Sequence, residues 1–305
     1  MSIDEPPARA SDRAGLRAIV YVLVTVTLFA FMNGTAKYLT QSYPVIQVLW
    51  GRFFFAMLVT LIYMYGPNFI GRLRTRRPAL QFVRSCLMLG CTLMFITALS
   101  LMPLAEVEAL NFTAPLFVTA LSLPLLGETV DARRWIAVLA GFVGVLVIIR
   151  PGAGVMSWAA LLPVCVALGY ALYQITTRYV GNSDPALTSL FYAGLLGTVG
   201  FSAIVPFYWQ TPSPVDWLLF GAVGTVGASS HLLMIKALAL APASVLQPFG
   251  YIELVWAVAI GWAVFGAIPD AYTVLGAIII VASGFYVLSR QRERGAGDTP
   301  PRASP

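Results

Sequence analysis

Six stretches of this chain, 18–36, 85–105, 109–127, 151–177, 186–215 and 271–289, contain no Asp, Glu, Lys, Arg or His. Each has about the twenty residues that a helix needs to cross a hydrocarbon core. In lipid a backbone must satisfy its own polar groups, so runs of this kind select helices or a closed barrel. A barrel would show short alternating segments, and these runs are continuous. Composition points the same way: 59% of the residues are hydrophobic and 10% charged, against roughly 25% charged in a soluble domain. The expected fold is an all-α polytopic membrane protein embedded in a lipid bilayer.

Admitting segments interrupted by one ionisable residue gives ten predicted spans, over 18–39, 46–65, 81–101, 105–126, 134–149, 157–178, 187–207, 217–238, 243–265 and 271–289. The fifth, between Arg134 and Arg150, is the shortest and crosses only if those arginines snorkel. The net charge of +6 is distributed as topology and leaves no nucleic-acid footprint. Arg9, Arg13 and Arg17 precede span one, and Arg72, Arg74, Arg76 and Arg77 lie between spans two and three. Arg133 and Arg134 lie between four and five, and Arg290, Arg292, Arg294 and Arg302 follow span ten. With ten spans these segments share one side, which the positive-inside rule assigns to the cytoplasm together with both termini. The expected location is therefore a bacterial inner membrane. Residues 1–15 and 291–305 are expected to be disordered cytoplasmic tails. Cys86, Cys91 and Cys165 fall inside spans, without metal-ligand spacing, and no cofactor is expected.

The chain is also written twice. Ile96, Ala98, Leu99, Leu101 and Pro103 recur as Ile235, Ala237, Leu238, Leu240 and Pro242 at an offset of 139, which also carries Gly127 onto Gly266 and Asp131 onto Asp270. Ala30, Tyr38 and Pro44 recur as Ala171, Tyr179 and Pro185 at an offset of 141, with Lys37 facing Arg178. Two halves follow, roughly 16–150 and 155–290, each of five spans. Five is odd, so the second half enters the membrane from the opposite face and the halves form an inverted repeat, an arrangement suited to alternating access. The glycines at 194, 197 and 200 and at 221, 224 and 227 are spaced for close helix contact. Pro115, Pro163 and Pro248 lie within spans, as static bends or as hinges.

The segment L-M-P-L-A-E-V-E-A-L-N-F-T-A-P (101–115), the L-G-E at 126–128, Lys37, and Arg52 followed by Phe53, Phe54 and Phe55 resemble the EamA branch of the drug/metabolite transporter superfamily over about residues 16–290. Within that branch the segment 251–270, opening Y-I-E-L-V, is similar to S-adenosylmethionine uptake transporters; carriers of riboflavin, amino acids and opine metallophores share the frame. The resemblance implies two inverted five-helix EamA repeats around a central cavity lined by spans one, three, four, six, eight and nine. In one departure, Ala267 stands where Glu128 would recur.

Ionisable groups inside a span face a partner or a wet cavity, because burying them in lipid is costly. The repeat singles out those without a mate: Glu108 faces Gln247, Thr92 faces His231, Thr97 faces Lys236, Ala114 faces Glu253 and Arg52 faces Ala193. Glu253 fits a site for a substrate cation or an exchanged proton, against a neutral carboxyl bonded between helices. His231, the one histidine, titrates near neutral pH when unperturbed. Glu108 and Asn111 share a helix face with Pro115, and Gln247 and Tyr251 share one on the mate span. Tyr170, Tyr173 and Gln174 add aromatic and amide groups. Lys37, Arg52, Glu106 and Glu108 are placed in the outer half, as a charge-paired gate or as structural ions. Trp209 and Trp217 read as interfacial belt residues, and Lys236 as a snorkelling lysine.

These readings lead to a secondary transporter of a small organic metabolite, with a proton or an exchanged substrate as coupling partner. The same frame serves import or export. A passive channel needs a continuous polar stripe, and an intramembrane enzyme needs a catalytic motif such as H-E-x-x-H or a nucleophile elbow; the sequence shows none of these.

Overall fold

The computed structural model describes residues 8–67, 69–126, 132–150, 158–181, 184–241, 246 and 249–297. Among them every regular element is helical. The helices are α1 (Ala8–Leu39), α2 (Val45–Met64), α3 (Phe69–Leu73), α4 (Pro78–Leu101), α5 (Leu104–Asn111), α6 (Ala114–Leu126), α7 (Ala132–Ile149), α8 (Leu161–Gly181), α9 (Ala186–Ser202), α10 (Pro214–Leu240), α11 (Ile252–Phe265) and α12 (Ala271–Gly297). Five apolar segments are long enough to cross a membrane: Gly15–Leu39, Val45–Met64, Pro78–Leu101, Leu104–Leu121 and Pro214–Leu240. Shorter apolar helices, Trp135–Ile149, Trp158–Gln174, Ala186–Ser202, Ile252–Phe265 and Ala271–Tyr286, stand at the other predicted spans.

Proline punctuates this bundle. Pro44, Pro103 and Pro185 are N-caps, and Pro78 and Pro214 occupy the first helical turn, where a missing N–H costs nothing. Pro163 is likewise in the first turn of α8, which removes it as a kink. Gly266, at φ +64°, ends α11 in the left-handed conformation that glycine adopts without strain. Helical backbone extends beyond the expected span limits at both ends, from Ala8 and as far as Gly297. The Arg-, Gln- and Glu-rich sequence after Ser289 consists largely of good helix formers.

Pro115 has a larger effect. It cannot donate to the carbonyl of Asn111, and span four divides there into α5 and α6. Phe112 N–H bonds Glu108 O at 3.1 Å and Thr113 N–H bonds Leu110 O at 3.1 Å, a tightening that ends α5. Span nine is interrupted at the mate position: Phe249 and Gly250 are helical, Tyr251 is a turn and α11 begins at Ile252. Phe112 and Tyr251 are related by the offset of 139, and their rings pack against each other with centroids 5.0 Å apart. The pseudo-two-fold axis of the repeat therefore passes between these two rings. Pro248 and Gln247 lie outside the described residues.

Mate helices run antiparallel, as inversion requires. On α2 and α9, Gly194 lies against Met57 and Gly197 against Phe53. On α7 and α12 the backbones touch: a Cβ on Gly144 would stand 2.8 Å from Gly276 O, and one on Gly276 would stand 2.6 Å from Gly144 O. Gly224 meets the backbone of α2 in the same way, at Arg52 O (2.7 Å). Gly194, Gly197 and Gly224 thus behave as close-contact residues, whereas Gly200 faces open space. A core of Leu49, Phe53, Ile96, Leu99, Leu104, Leu110, Phe220 and Ile280 runs through the bundle.

Polar contacts tie the halves together at both ends. At one end Tyr43 OH donates to Asp216 Oδ2 (2.7 Å), Ser213 Oγ donates to the same oxygen (2.6 Å), and Gln47 exchanges two bonds with the backbone of Gln210 (2.6 and 2.9 Å). At the other, Asp184 accepts from the Thr75 hydroxyl, from Arg76 N–H (3.0 Å) and from Gln81 Nε2 (2.9 Å). These two clasps are mates, since the offset of 141 carries Tyr43 onto Asp184 and Thr75 onto Asp216. Acid and hydroxyl exchange places between them.

Candidate functional site

The axis region holds the polar centre. Asn33, on α1, donates from Nδ2 to Glu108 Oε1 at 2.8 Å and to Glu253 Oε1 at 3.4 Å. Glu108 sits one turn before the break in span four, and Glu253 in the first turn after the break in span nine. Two carboxylates from opposite halves thus meet on one amide, in a bundle where ionisable groups are costly. Two further acceptors, Asn33 Oδ1 and Asn111 Oδ1, are buried without a hydrogen-bond partner among the described residues, as is the Tyr251 hydroxyl. Tyr251 is held between Phe112 and Phe285, on which it stacks at 4.8 Å. Glu253 is within electrostatic reach of Tyr170, which stacks on Tyr173 at 5.7 Å. Gln174 is half-buried on the same helix, one residue on from Tyr173.

A second polar region is positive. Arg52, on α2, and His231, on α10, line a small cleft of ≈ 40 Å³ with Thr60, Met88 and the close-packed glycines of α9 and α10. His231 also packs edge-on against Phe29, centroids 5.1 Å apart. Arg84, on α4, is 4% exposed; its Nε donates to Thr177 Oγ1 (2.8 Å), one terminal nitrogen to Ser189 O (3.2 Å) and the other to the Tyr173 hydroxyl. Its guanidinium carbon lies 4.6 Å from the Tyr173 ring centroid.

The four charges expected to form an outer gate do not pair with one another. Lys37 Nζ donates to the carbonyls of Leu99 and Met102, each at 2.7 Å, where α4 ends before Pro103. It caps the negative end of that helix dipole and lies 5.3 Å from the Phe265 ring centroid. Glu108 turns to Asn33, and Arg52 makes no ion pair among the described residues. Glu106 remains within electrostatic reach of Lys37, Arg150 and Asp270. The ion pair at that end is Arg150–Asp270, at 2.6 Å, with Arg150 also over the Tyr272 ring at 4.9 Å. The Asp270 carboxyl is held below its usual range by the Thr273 N–H and then by Arg150. Trp209 and Trp217 join Trp50 in an aromatic cluster at the Asp216 end, partly exposed as belt residues are. Lys236 is exposed, as a snorkelling residue is.

Two site residues escaped the sequence reading. Asn33 carries no charge, so a search for ionisable groups within spans does not find it, although its mate at the offset of 141 is Gln174. Arg84 lies inside predicted span three, and an arginine within a span is a functional candidate by default.

With the geometry in view, comparison with known proteins is decisive for the family. The EamA-like transporter family profile matches residues 16–150 and 157–289. The chain belongs to that family. A riboflavin transporter of Vibrio cholerae is 32% identical over 276 residues, covering 89% of this chain and 93% of its own. An S-adenosylmethionine uptake transporter of Rickettsia prowazekii is 25% identical over 280 residues, covering 91% and 94%. A pseudopaline exporter, CntI, of Pseudomonas aeruginosa is 24% identical over 276 residues, covering 87% and 93%. One crystal structure aligns over 94% of this chain and 98% of its own with a TM-score of 0.58 at 17% identity, which shows the shared fold alone. This EamA-like chain is thus a multi-pass membrane protein of a transporter family, built from two repeats.

Proposed function

We propose that this EamA-like protein is a secondary active transporter of the bacterial inner membrane. It moves a small organic metabolite, cofactor-like or amino-acid-like, by alternating access, with all ten predicted spans crossing and both termini cytoplasmic. The observation that carries the reading is the Asn33 bridge between Glu108 and Glu253. Two carboxylates gathered on one amide in a low-dielectric bundle call for a positive charge between them. Either a cationic group of the substrate or a proton supplies it, so the centre binds cargo and couples its movement. Because each carboxylate belongs to a different half, any rocking of one half against the other changes the spacing of the pair. The aromatic surface of Tyr170, Tyr173, Phe112 and Tyr251 suits a substrate with a planar ring.

Uptake is supported by the S-adenosylmethionine uptake transporters among the relatives, and export on the same frame by the pseudopaline exporter. Counterflow in proteoliposomes with labelled S-adenosylmethionine, riboflavin and amino acids tests the reading. A carrier exchanges label faster when unlabelled substrate is present on the far side, and Glu253→Gln removes that acceleration. Flux that is insensitive to far-side substrate would mark a passive channel instead.

A further inference from the structure

We propose that Arg52, Arg84 and His231 form an anion subsite, separate from the Glu108–Asn33–Glu253 centre, that takes the carboxylate of a zwitterionic substrate. The proposal rests on the reading of the acidic centre as the place for the substrate's cationic group.

Arg84 is almost wholly buried, yet its partners, Thr177, the Ser189 carbonyl and Tyr173, are all neutral. They satisfy its hydrogen bonds and leave its charge unmatched. Arg52 makes no ion pair among the described residues and faces a cleft it shares with His231. Both arginines lie within electrostatic reach of that histidine. The neighbouring acid, Asp184, is already engaged by Thr75, the Arg76 N–H and Gln81 at the end of the bundle. Arg52 lines the cleft itself, and Arg84 stands one helical turn before the lining residue Met88, bonded to Ser189 O beside the lining Leu190. Guanidinium groups so placed in a low-dielectric bundle favour an anion, and arginine's planar donor fork suits a carboxylate. Tyr170 and Tyr173 stand between the regions: Tyr173 holds Arg84, and its stacking partner Tyr170 is within reach of Glu253. A molecule with an ammonium or sulfonium at one end, a carboxylate at the other and a ring between matches that order of groups.

The test uses the full-length protein in proteoliposomes, with Cys86, Cys91 and Cys165 replaced by Ala and a thiol placed in the cleft by Met88→Cys. Modification by an anionic methanethiosulfonate (the ethylsulfonate) is compared with a cationic one (the ethyltrimethylammonium), each relative to a free thiol. The subsite predicts that the anionic reagent is favoured about tenfold, because a cleft lined by one sign of charge concentrates counter-ions. Arg52→Gln should abolish the preference and Arg52→Lys should retain it, which separates loss of charge from loss of fold. No preference in the parent, or one that survives Arg52→Gln, overturns the subsite. A second arm asks which probe slows modification: S-adenosylmethionine should protect the thiol, and its decarboxylated analogue should not. If the charge preference stands but neither compound protects, the zwitterionic substrate reading fails and the anion subsite survives it.

Discussion

Spans four and nine leave the helical path at mate positions, Phe112 (φ −65°, ψ 0°) and Tyr251 (φ −65°, ψ −13°), with nearly the same backbone. Around these breaks the side chains differ. In the first half the carboxylate, Glu108, precedes the break; in the second, Glu253 follows it. Ala114, the mate of Glu253, has no polar group at all. Duplication therefore supplied the paired broken helices, and divergence placed one acid on each side of the axis, close enough to share Asn33. The backbone repeats because both halves must pack alike, while the side chains around the breaks are free to differ.

The comparison is broken most severely at Glu253. Glu253→Gln should lower counterflow by roughly 100-fold, because the cationic group or proton that the centre takes loses one of its two charged partners. Asn33→Ala should cost roughly tenfold in substrate affinity, since the two carboxylates lose their shared donor. The mirror substitution Gln174→Ala should cost less, because Gln174 makes no hydrogen bond to either carboxylate.

The clasps sharpen the same contrast in stability. Asp184 is buried, and although burial pushes its carboxyl up, the Arg76 N–H, Thr75 hydroxyl and Gln81 amide together hold it below its ordinary value. A depressed folded-state pKa gives stability that is present above the unfolded-state value and is lost as pH falls through the folded one. The thermal midpoint of the purified protein should therefore drop on acidification below about pH 4, and drop less in Asp184→Asn. At neutral pH, Asp184→Asn should cost about 1–3 kcal/mol by turning a satisfied acceptor cluster into a mismatched one. Asp216→Asn, at the more open mate clasp, should lower the thermal midpoint less. The smallest effect is expected at Lys37→Met, about 0.3–1 kcal/mol, because Lys37 caps the α4 carboxyl end and is not part of an ion-paired gate.

The repeat made the fold legible in the sequence. Uncharged runs marked the helices, and the two offsets located mate positions that the structure brings into antiparallel contact. The candidate site was legible only where the copies disagree. Glu108, Glu253, Arg52 and His231 stood out because their mates are a different residue type, and the structure places them in two polar regions. Asn33 was hidden because it is uncharged, and Lys37 misled because a charge at a span's end gives no sign that two carbonyls await it. Which charges pair depends on side-chain direction across helices far apart in sequence, and spacing along one chain does not encode that. Gln247, expected beside Tyr251, lies outside the described residues.

The central claim is that Glu108 and Glu253 act as one site across the pseudo-two-fold axis. A double-mutant cycle of Glu108→Gln and Glu253→Gln on the counterflow rate tests it directly. The account predicts strong non-additivity, with the double variant no worse than the weaker single one, because either substitution already dismantles the shared centre. Losses that simply multiply would show two independent carboxylates and would contradict it.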